Sequence, residues 1–207
     1  MTPPVITFNE ADHSYTVNGR PAVGVTKALS VIEHWSFIDP DVLQRAADFG
    51  RAVHEACEFY DLGDLDEDSL DPALAPYLDG YKQFLAAKKP VWEHIEQRVA
   101  SAALCCAGTL DRMGLIGKTR WLIDLKSTAA TPITVGPQTA AYAEFAKQTL
   151  GFKPQKRACL ILKPGGFNLV PLNDPADYSL FVSSLNVWRF LEKYHPTKLK
   201  ERIHAAA

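Results

Sequence analysis

The sequence predicts an α/β fold in which a set of strands is framed by helices, and three observations predict it. An amphipathic helical stripe runs up to residue 89, β-forming residues dominate residues 95–126, and a helix-length segment then separates those strands from two more. At 207 residues with 47% hydrophobic content the chain can bury a proper core, and one compact domain is the expectation for that length.

Taken in order, residues 5–8 and 14–17 flank a polar connector, and Asn18-Gly19 marks a tight turn into residues 21–23, which reads as a small β-meander. Apolar positions then recur at helical spacing over residues 25–35. Asp39-Pro40-Asp41 is an N-cap signal that opens a helix continuing through Arg51 to Tyr60. The acidic run Asp61, Asp64, Asp66, Glu67, Asp68 and Asp71 lacks the regular ligand spacing of a calcium loop and reads as a solvated linker. A helix over residues 72–89 puts Leu74, Tyr77, Leu78, Tyr81, Phe84 and Leu85 on one stripe.

The period then changes. Residues 95–113, and residues 120–126 after a turn at Gly117, read as three consecutive strands. A helix over residues 137–150 begins on Pro137 and closes on Gly151, and strands 157–162 and 167–172 hinge on Gly165-Gly166. Asp174-Pro175 caps a last amphipathic helix through Leu180, Phe181, Leu185, Trp188 and Leu191. No apolar run reaches the roughly eighteen residues of a membrane span and the first residues lack a signal-peptide pattern, so a soluble cytoplasmic protein is expected.

The cysteines at 57, 105, 106 and 159 form no CxxC pair, so they read as small apolar core residues of a reducing compartment, with neither a zinc site nor a disulfide framework. Net charge is −2, far from the basic footprint usual for nucleic-acid binding. The average hides an asymmetry: residues 1–111 hold 8 Lys+Arg against 18 Asp+Glu, and residues 112–207 hold 14 against 6. The basic half is where phosphate contacts are expected.

Chemistry concentrates at Asp111, Asp124 and Lys126. Positions i and i+2 of a strand share a face, so Asp124 and Lys126 point one way while Ile123 and Leu125 point the other. Antiparallel pairing through the Gly117 turn brings Asp111 beside Asp124. Two carboxylates suffice to hold magnesium when substrate phosphate and water complete its shell, and an ammonium beside them can position a nucleophile or offset transition-state charge. An exposed Asp124–Lys126 ion pair is the plainer alternative, but the apolar residues around them suggest a buried strand, where charges are costly unless paired or metal-bound.

The stretch Ala107-Gly108-Thr109-Leu110-Asp111, followed by Ile123-Asp124-Leu125-Lys126, resembles the G-x-x-D…D-x-K core of PD-(D/E)XK nucleases. Upstream, Gly50-Arg51-Ala52-Val53-His54 resembles the G-x-x-x-H helix of the RecB-like exonuclease branch, and Gln138-Thr139-Ala140-Ala141-Tyr142 its Q-x-x-x-Y helix. The resemblance covers roughly residues 50–163. It implies an α/β (α+β) restriction-endonuclease-like core, a central mixed β-sheet flanked by helices, preceded by the N-terminal meander and helical region. Residues 1–207 would then form a single nuclease domain, with 1–90 carrying the meander and the His54 helix, 91–175 the catalytic sheet and the Gln138/Tyr142 helix, and 176–207 the last helix and tail.

The same resemblance implies a metal-dependent DNA exonuclease using one or two Mg2+ or Mn2+ ions, similar to the stand-alone recombination, replication or repair exonucleases of phages and bacteria. It implies His54, Asp111, Asp124 and the Leu125 carbonyl as metal ligands, Lys126 as catalytic lysine, and Gln138 and Tyr142 as residues that contact DNA or brace the centre. Glu58, one helical turn after His54, is placed to orient its ring or join the metal site. Lys147, Lys153, Lys156 and Arg157 are candidate DNA contacts, and the implied partners are DNA and a single-strand annealing or other recombination or replication protein, with no membrane. A structure-specific or restriction-type endonuclease on the same fold, and an inactive nucleic-acid binding module, are the alternatives. Only Cys159 follows the catalytic motif, so an iron–sulfur cluster lacks its ligands, and no P-loop is present. His13, His34, His94, His195 and His204 stand in no such context and carry no assigned role.

Overall fold

A computed structural model of the chain describes residues 2–33, 39–197 and 199. The meander forms as strands β1 (Ile6–Asn9), β2 (Ser14–Val17) and β3 (Arg20–Gly24), turning on Asn18 and Gly19, both with positive φ. A short helix α1 (Val25–Leu29) follows and gives way to a turn over residues 30–32, short of the helical spacing expected through Trp35, which itself lies outside the described residues. Helix α2 (Pro40–Leu62) starts where the cap signal puts it, with the Asp39 carboxylate accepting from the Asp41 amide at 2.8 Å, and stops at Gly63, whose φ of 75° needs no Cβ. Helix α3 (Ala75–Lys88) begins three residues later than expected because the Asp71 carboxylate takes the Ala73 amide in a separate turn.

Strands β4 (Val91–Ser101), β5 (Cys106–Ile116) and β6 (Thr119–Lys126) form the expected antiparallel run. Helix α4 (Val135–Leu150) begins two residues before Pro137. The proline costs nothing there, because the first-turn amides have no helical partner in any case. Strands β7 (Lys156–Lys163) and β8 (Gly166–Pro171) close the sheet. Helix α5 (Asp177–Tyr194) starts one turn after Asp174, which spends its carboxylate on the Ala176 amide at 2.8 Å; Leu180, expected on the apolar stripe, is 43% exposed.

The sheet is mixed. Its strands run in the order β1-β2-β3-β5-β6-β7-β8, with β4 on the other edge of β5; β3 meets β5 in parallel and β6 meets β7 in parallel. One edge of β5 is therefore shared by two strands, β3 at Cys106–Ala107 and β6 at Arg112–Ile116. Between them the sheet forks, and residues 108–111 of β5 have no strand partner on that side.

Helices α2 and α3 cover one face, packing Val53, Cys57, Leu78, Tyr81 and Phe84 on Ile123, Leu125 and Leu160. Helices α1, α4 and α5 cover the other, packing Leu29, Phe145, Phe181 and Leu185 on Leu110, Met113 and Leu122. Each of the larger of these side chains contributes about 2 kcal/mol by leaving water, which fixes both helix layers on the sheet. Among the described residues no helix is long and apolar enough to cross a membrane.

Candidate active site

The fork is where the chemistry-bearing residues meet. Asp124 and Lys126 project from the α4 side of β6 as their spacing requires, and the Lys126 Nζ lies 2.7 Å from Asp124 Oδ2. Asp124 is 1% exposed, and apart from that ammonium neither of its carboxylate oxygens has a partner among the described residues. On β5, Leu110 and Met113 both face α4 while Arg112 reaches α2 and α3, so the pleat loses a step at Asp111. Asp111 Oδ2 accepts the Leu125 amide at 2.6 Å.

His54 arrives from α2. Its Nε2–H donates to the Leu125 carbonyl at 2.8 Å, which leaves the Nδ1 lone pair facing Asp111 Oδ2 at 3.6 Å. The Leu125 carbonyl thus holds the ring in place, a role expected of Glu58. Glu58 makes no hydrogen bond to His54 and instead lines the same cleft. The carbonyl keeps a second lone pair, so this bond leaves it able to ligate.

Sequence reasoning missed Glu96, Arg112 and Asp61. Glu96 on β4 has a φ of 46° and lies between the pairs Ile95↔Arg112 and Gln97↔Leu110, across from Asp111. One atom each from His54, Glu96 and Asp111 lie within 4.8 Å of one another. Counting back equally along both arms of the β4–β5 hairpin would have found Glu96. Arg112, fully buried, donates to Glu96 Oε1 at 2.9 Å, to Asp61 Oδ2 at 2.6 Å and to the Asp111 carbonyl at 2.8 Å. Tyr81 also donates to Asp61 Oδ2, at 2.6 Å. Asp61 was read as part of a solvated linker; its side chain is 3% exposed, because it lies seven residues after His54 on the sheet-facing side of α2.

Gln138 and Tyr142 lie one turn apart on the buried face of α4, Gln138 Nε2 donating to Tyr142 Oη at 3.3 Å. A Cβ on Gly108 would come within 2.6 Å of Tyr142 Cε1, so the glycine of the G-x-x-D motif makes room for the tyrosine of the Q-x-x-x-Y helix. Both residues line the cleft with His54, Asp111 and Lys126.

The four basic candidates do not meet there. Lys156 pairs with Trp121 at the opposite end of β6, roughly 16 Å along the strand from Lys126, and its ammonium lies 5.0 Å from the Trp121 ring centroid. Lys153 pairs with Glu144, and Arg157 is consumed by Asp177 at 2.9 Å and by the Gly136 carbonyl at 2.7 Å. Lys147 is exposed on the last turn of the same helix. Folding also remixes the charge asymmetry, pairing Arg112 with Asp61 and Arg120 with Glu93.

Electrostatics follow from burial. Desolvation pushes the Asp124 carboxyl up to about 7 against the pull of Lys126, and the Glu96 carboxyl up to about 8, aided by the Asp111 charge. Burial lowers His54, keeping the imidazole neutral and able to ligate. Burial alone would lower Lys126 as well, but the Asp124 and Asp111 carboxylates hold it above its ordinary value. A divalent cation would relieve this crowding of like charge, and it would also satisfy the buried Asp124 Oδ1, which has no hydrogen-bond donor among the described residues.

Two acidic residues on neighbouring strands of a mixed sheet, a lysine two positions after the second, and a helix presenting Gln and Tyr beside them are thus brought to one place, as the order and spacing of the motifs led one to expect. Among solved structures, an alkaline exonuclease from Laribacter hongkongensis is similar over 90% of this chain and 95% of its own, at 12% identity and a TM-score of 0.43. The same exonuclease in complex with dAMP is similar over the same shares at 11% identity and 0.42. The crystal structure of SSO0001 is similar over 82% of this chain and 76% of its own, at 13% identity and 0.40. No family model and no curated protein matches the sequence.

Proposed function

We propose that the protein is a divalent-metal-dependent deoxyribonuclease that hydrolyses phosphodiester bonds from DNA ends. The observation that carries this reading is the Asp124 carboxylate, fully buried at the fork beside Asp111 and Lys126 and left without a partner on one oxygen. A buried carboxylate oxygen without a donor is costly in a purely structural ion pair, and a bound cation would satisfy it. Asp111, Asp124, His54 and the Leu125 carbonyl would hold the ion, and Glu96 joins them as a ligand that the motifs do not include. The ligand set is mostly oxygen with one imidazole, which suits Mn2+ at least as well as Mg2+.

When bound, such an ion supplies Lewis-acid polarisation of the scissile phosphate and acidifies an attacking water. Lys126, beside Asp124 and a donor with no lone pair when protonated, would offset the negative charge that grows on the phosphate or orient a water. Arg112 fixes the Glu96 carboxylate through a bond that Asp61 holds from behind. Gln138 and Tyr142 border the same cleft and offer donors to a strand lying across it. The exonuclease mode rests on the His54 and Gln138/Tyr142 elements.

Digestion of end-labelled linear DNA beside a covalently closed circle, with Mg2+, Mn2+ or chelator, tests the reading. Labelled mononucleotides or short oligonucleotides released only from linear DNA and only with metal are expected. Cutting of the closed circle would convert the reading to an endonuclease, and activity in chelator would refute the metal site.

A further inference from the structure

The N-terminal meander lines part of the cleft beside β5, and it carries rings that the hydrolysis does not use, of which Tyr15 also packs on the small core cluster of Val17, Ala100 and Ala107. Register places Phe8 directly across from Tyr15, with ring centroids 4.7 Å apart. His13, at a φ of 52° in the connecting turn, stands edge-on to Phe8 at 5.2 Å. The Tyr15 hydroxyl is fastened to Thr109 Oγ1 at 3.0 Å, two residues from Asp111. Phe8 and Tyr15 are only half-buried and His13 is exposed, although all three line the roughly 470 Å³ cleft that holds His54, Asp111 and Lys126.

Two cations flank these rings. The Arg98 guanidinium lies 4.9 Å from the Phe8 ring centroid and forms no ion pair with any described residue. His13 and Tyr15 also line a second depression of about 480 Å³, which continues to Lys27, a cation whose ammonium lies 5.5 Å from the Trp188 ring centroid and which has no carboxylate partner among the described residues. The cleft floor, with Glu58, Glu96 and Asp111, repels phosphates wherever no metal intervenes, so the flanking phosphates of a strand need cations at the rim.

We propose that the meander is a stacking platform for unpaired nucleotides, taking the bases that flank the scissile phosphate on Phe8, Tyr15 and His13 and their phosphates on Arg98 and Lys27. The proposal rests on the nuclease reading for where that phosphate sits. Aromatic faces beside backbone cations are the recognition mode of single-stranded nucleic acid, because every unpaired base offers a π-face and a paired base inside a duplex offers none. The platform therefore selects a single-stranded end.

Anisotropy of a labelled 12-nucleotide single strand and of a blunt duplex, both with Ca2+ in place of Mg2+, tests it on the full chain. Phe8→Leu/Tyr15→Leu keeps the positions apolar and removes the rings, together with the Tyr15–Thr109 bond; it is expected to lose about tenfold in affinity for the single strand, the loss of roughly one stacked base, while duplex affinity stays within about twofold. Equal losses on both DNAs, or none, would overturn the proposal. Should that variant melt early, Arg98→Gln at the exposed rim decides: the salt slope for the single strand falls by about 0.7, and an unchanged slope refutes the platform. Wild-type protein that cuts nothing with Mg2+ or Mn2+ yet shows these differences would remove the nuclease reading and leave the platform standing. Variants that bind like the wild type, in a protein that does cut, would do the reverse.

Discussion

Gly108→Ala is the substitution whose outcome separates tertiary packing from local preference. Gly108 does not occupy the positive-φ region and lies inside β5, so replacing it with alanine should on backbone grounds alone stabilise the strand by roughly 0.5–1 kcal/mol. The structure reverses the sign. The new Cβ would stand 2.6 Å from Tyr142 Cε1 and 3.1 Å from its hydroxyl, so the ring must retreat by about 1 Å to reach ordinary contact. Tyr142 is 3% exposed beneath α4 and tied to Gln138, which leaves it nowhere to retreat without moving the helix. Overpacking of this kind costs about 2 kcal/mol, or roughly 4–8 °C in Tm for a chain of this size. Thermal unfolding of Gly108→Ala in the wild-type and Tyr142→Leu backgrounds measures the coupling: the penalty should fall below about 0.5 kcal/mol once the ring is gone. The same penalty in both backgrounds would refute the contact as the reason for the glycine.

Four further outcomes follow from the site. Asp124 and Glu96 are held up to about 7 and about 8, so their protonated forms favour the folded state: in the metal-free protein the contribution of these two groups is complete below about pH 4 and is lost progressively as pH rises from there through 7 to 8. Scanning fluorimetry in chelator checks this, and Asp124→Asn should flatten the decline while saturating Mn2+ abolishes it. Lys126→Ala should lose turnover yet bind Mn2+ as tightly or more so by calorimetry, because a like-charged neighbour has gone; a variant inactive through lost metal binding would assign Lys126 a structural role instead. Asp61→Asn should cost about 3 kcal/mol by taking the charged partner from the Arg112 Nε and leaving the buried guanidinium only Glu96, whereas Asp68→Asn, in the same acidic run, should shift stability by less than about 0.5 kcal/mol; equal effects would contradict the buried pair. Lys153→Glu with Lys156→Glu should leave the salt slope of DNA binding unchanged, since both stand at the far end of the sheet.

The elements themselves were legible in the sequence because each carries a local signal. Asp39-Pro40 caps α2, Gly63, Gly117 and Gly151 supply left-handed turns, and the change of period after α3 marks the sheet. The Asp124–Lys126 face followed from the strand's own geometry. What escaped were residues whose meaning is set by distant partners. Asp61 looks like any member of an acidic run until Arg112, fifty-one positions away, is folded against it. Glu96 is one polar residue among several on β4, and only the hairpin arithmetic with Asp111 singles it out. The four basic residues do not line the cleft for the opposite reason: regional charge density said nothing about which way their strand and helix ends point. His13 carries no motif, and its place beside the cleft comes from the meander's fold over β5.

The backbone of Leu125 is held on both sides by side chains of the candidate site, its amide by Asp111 and its carbonyl by His54. An ordinary strand residue draws its protection from a neighbouring strand and exchanges its amide proton only when that strand opens. Here the proton is guarded by a carboxylate that can be titrated, substituted or drawn toward a cation, so exchange at this one amide becomes a gauge of whether the centre is assembled. That gauge needs neither substrate nor turnover, and it can be read by NMR in a variant too slow to assay. A ligand that tightens the centre will slow exchange at Leu125 before any change reaches the paired amides of Leu122 and Ile123.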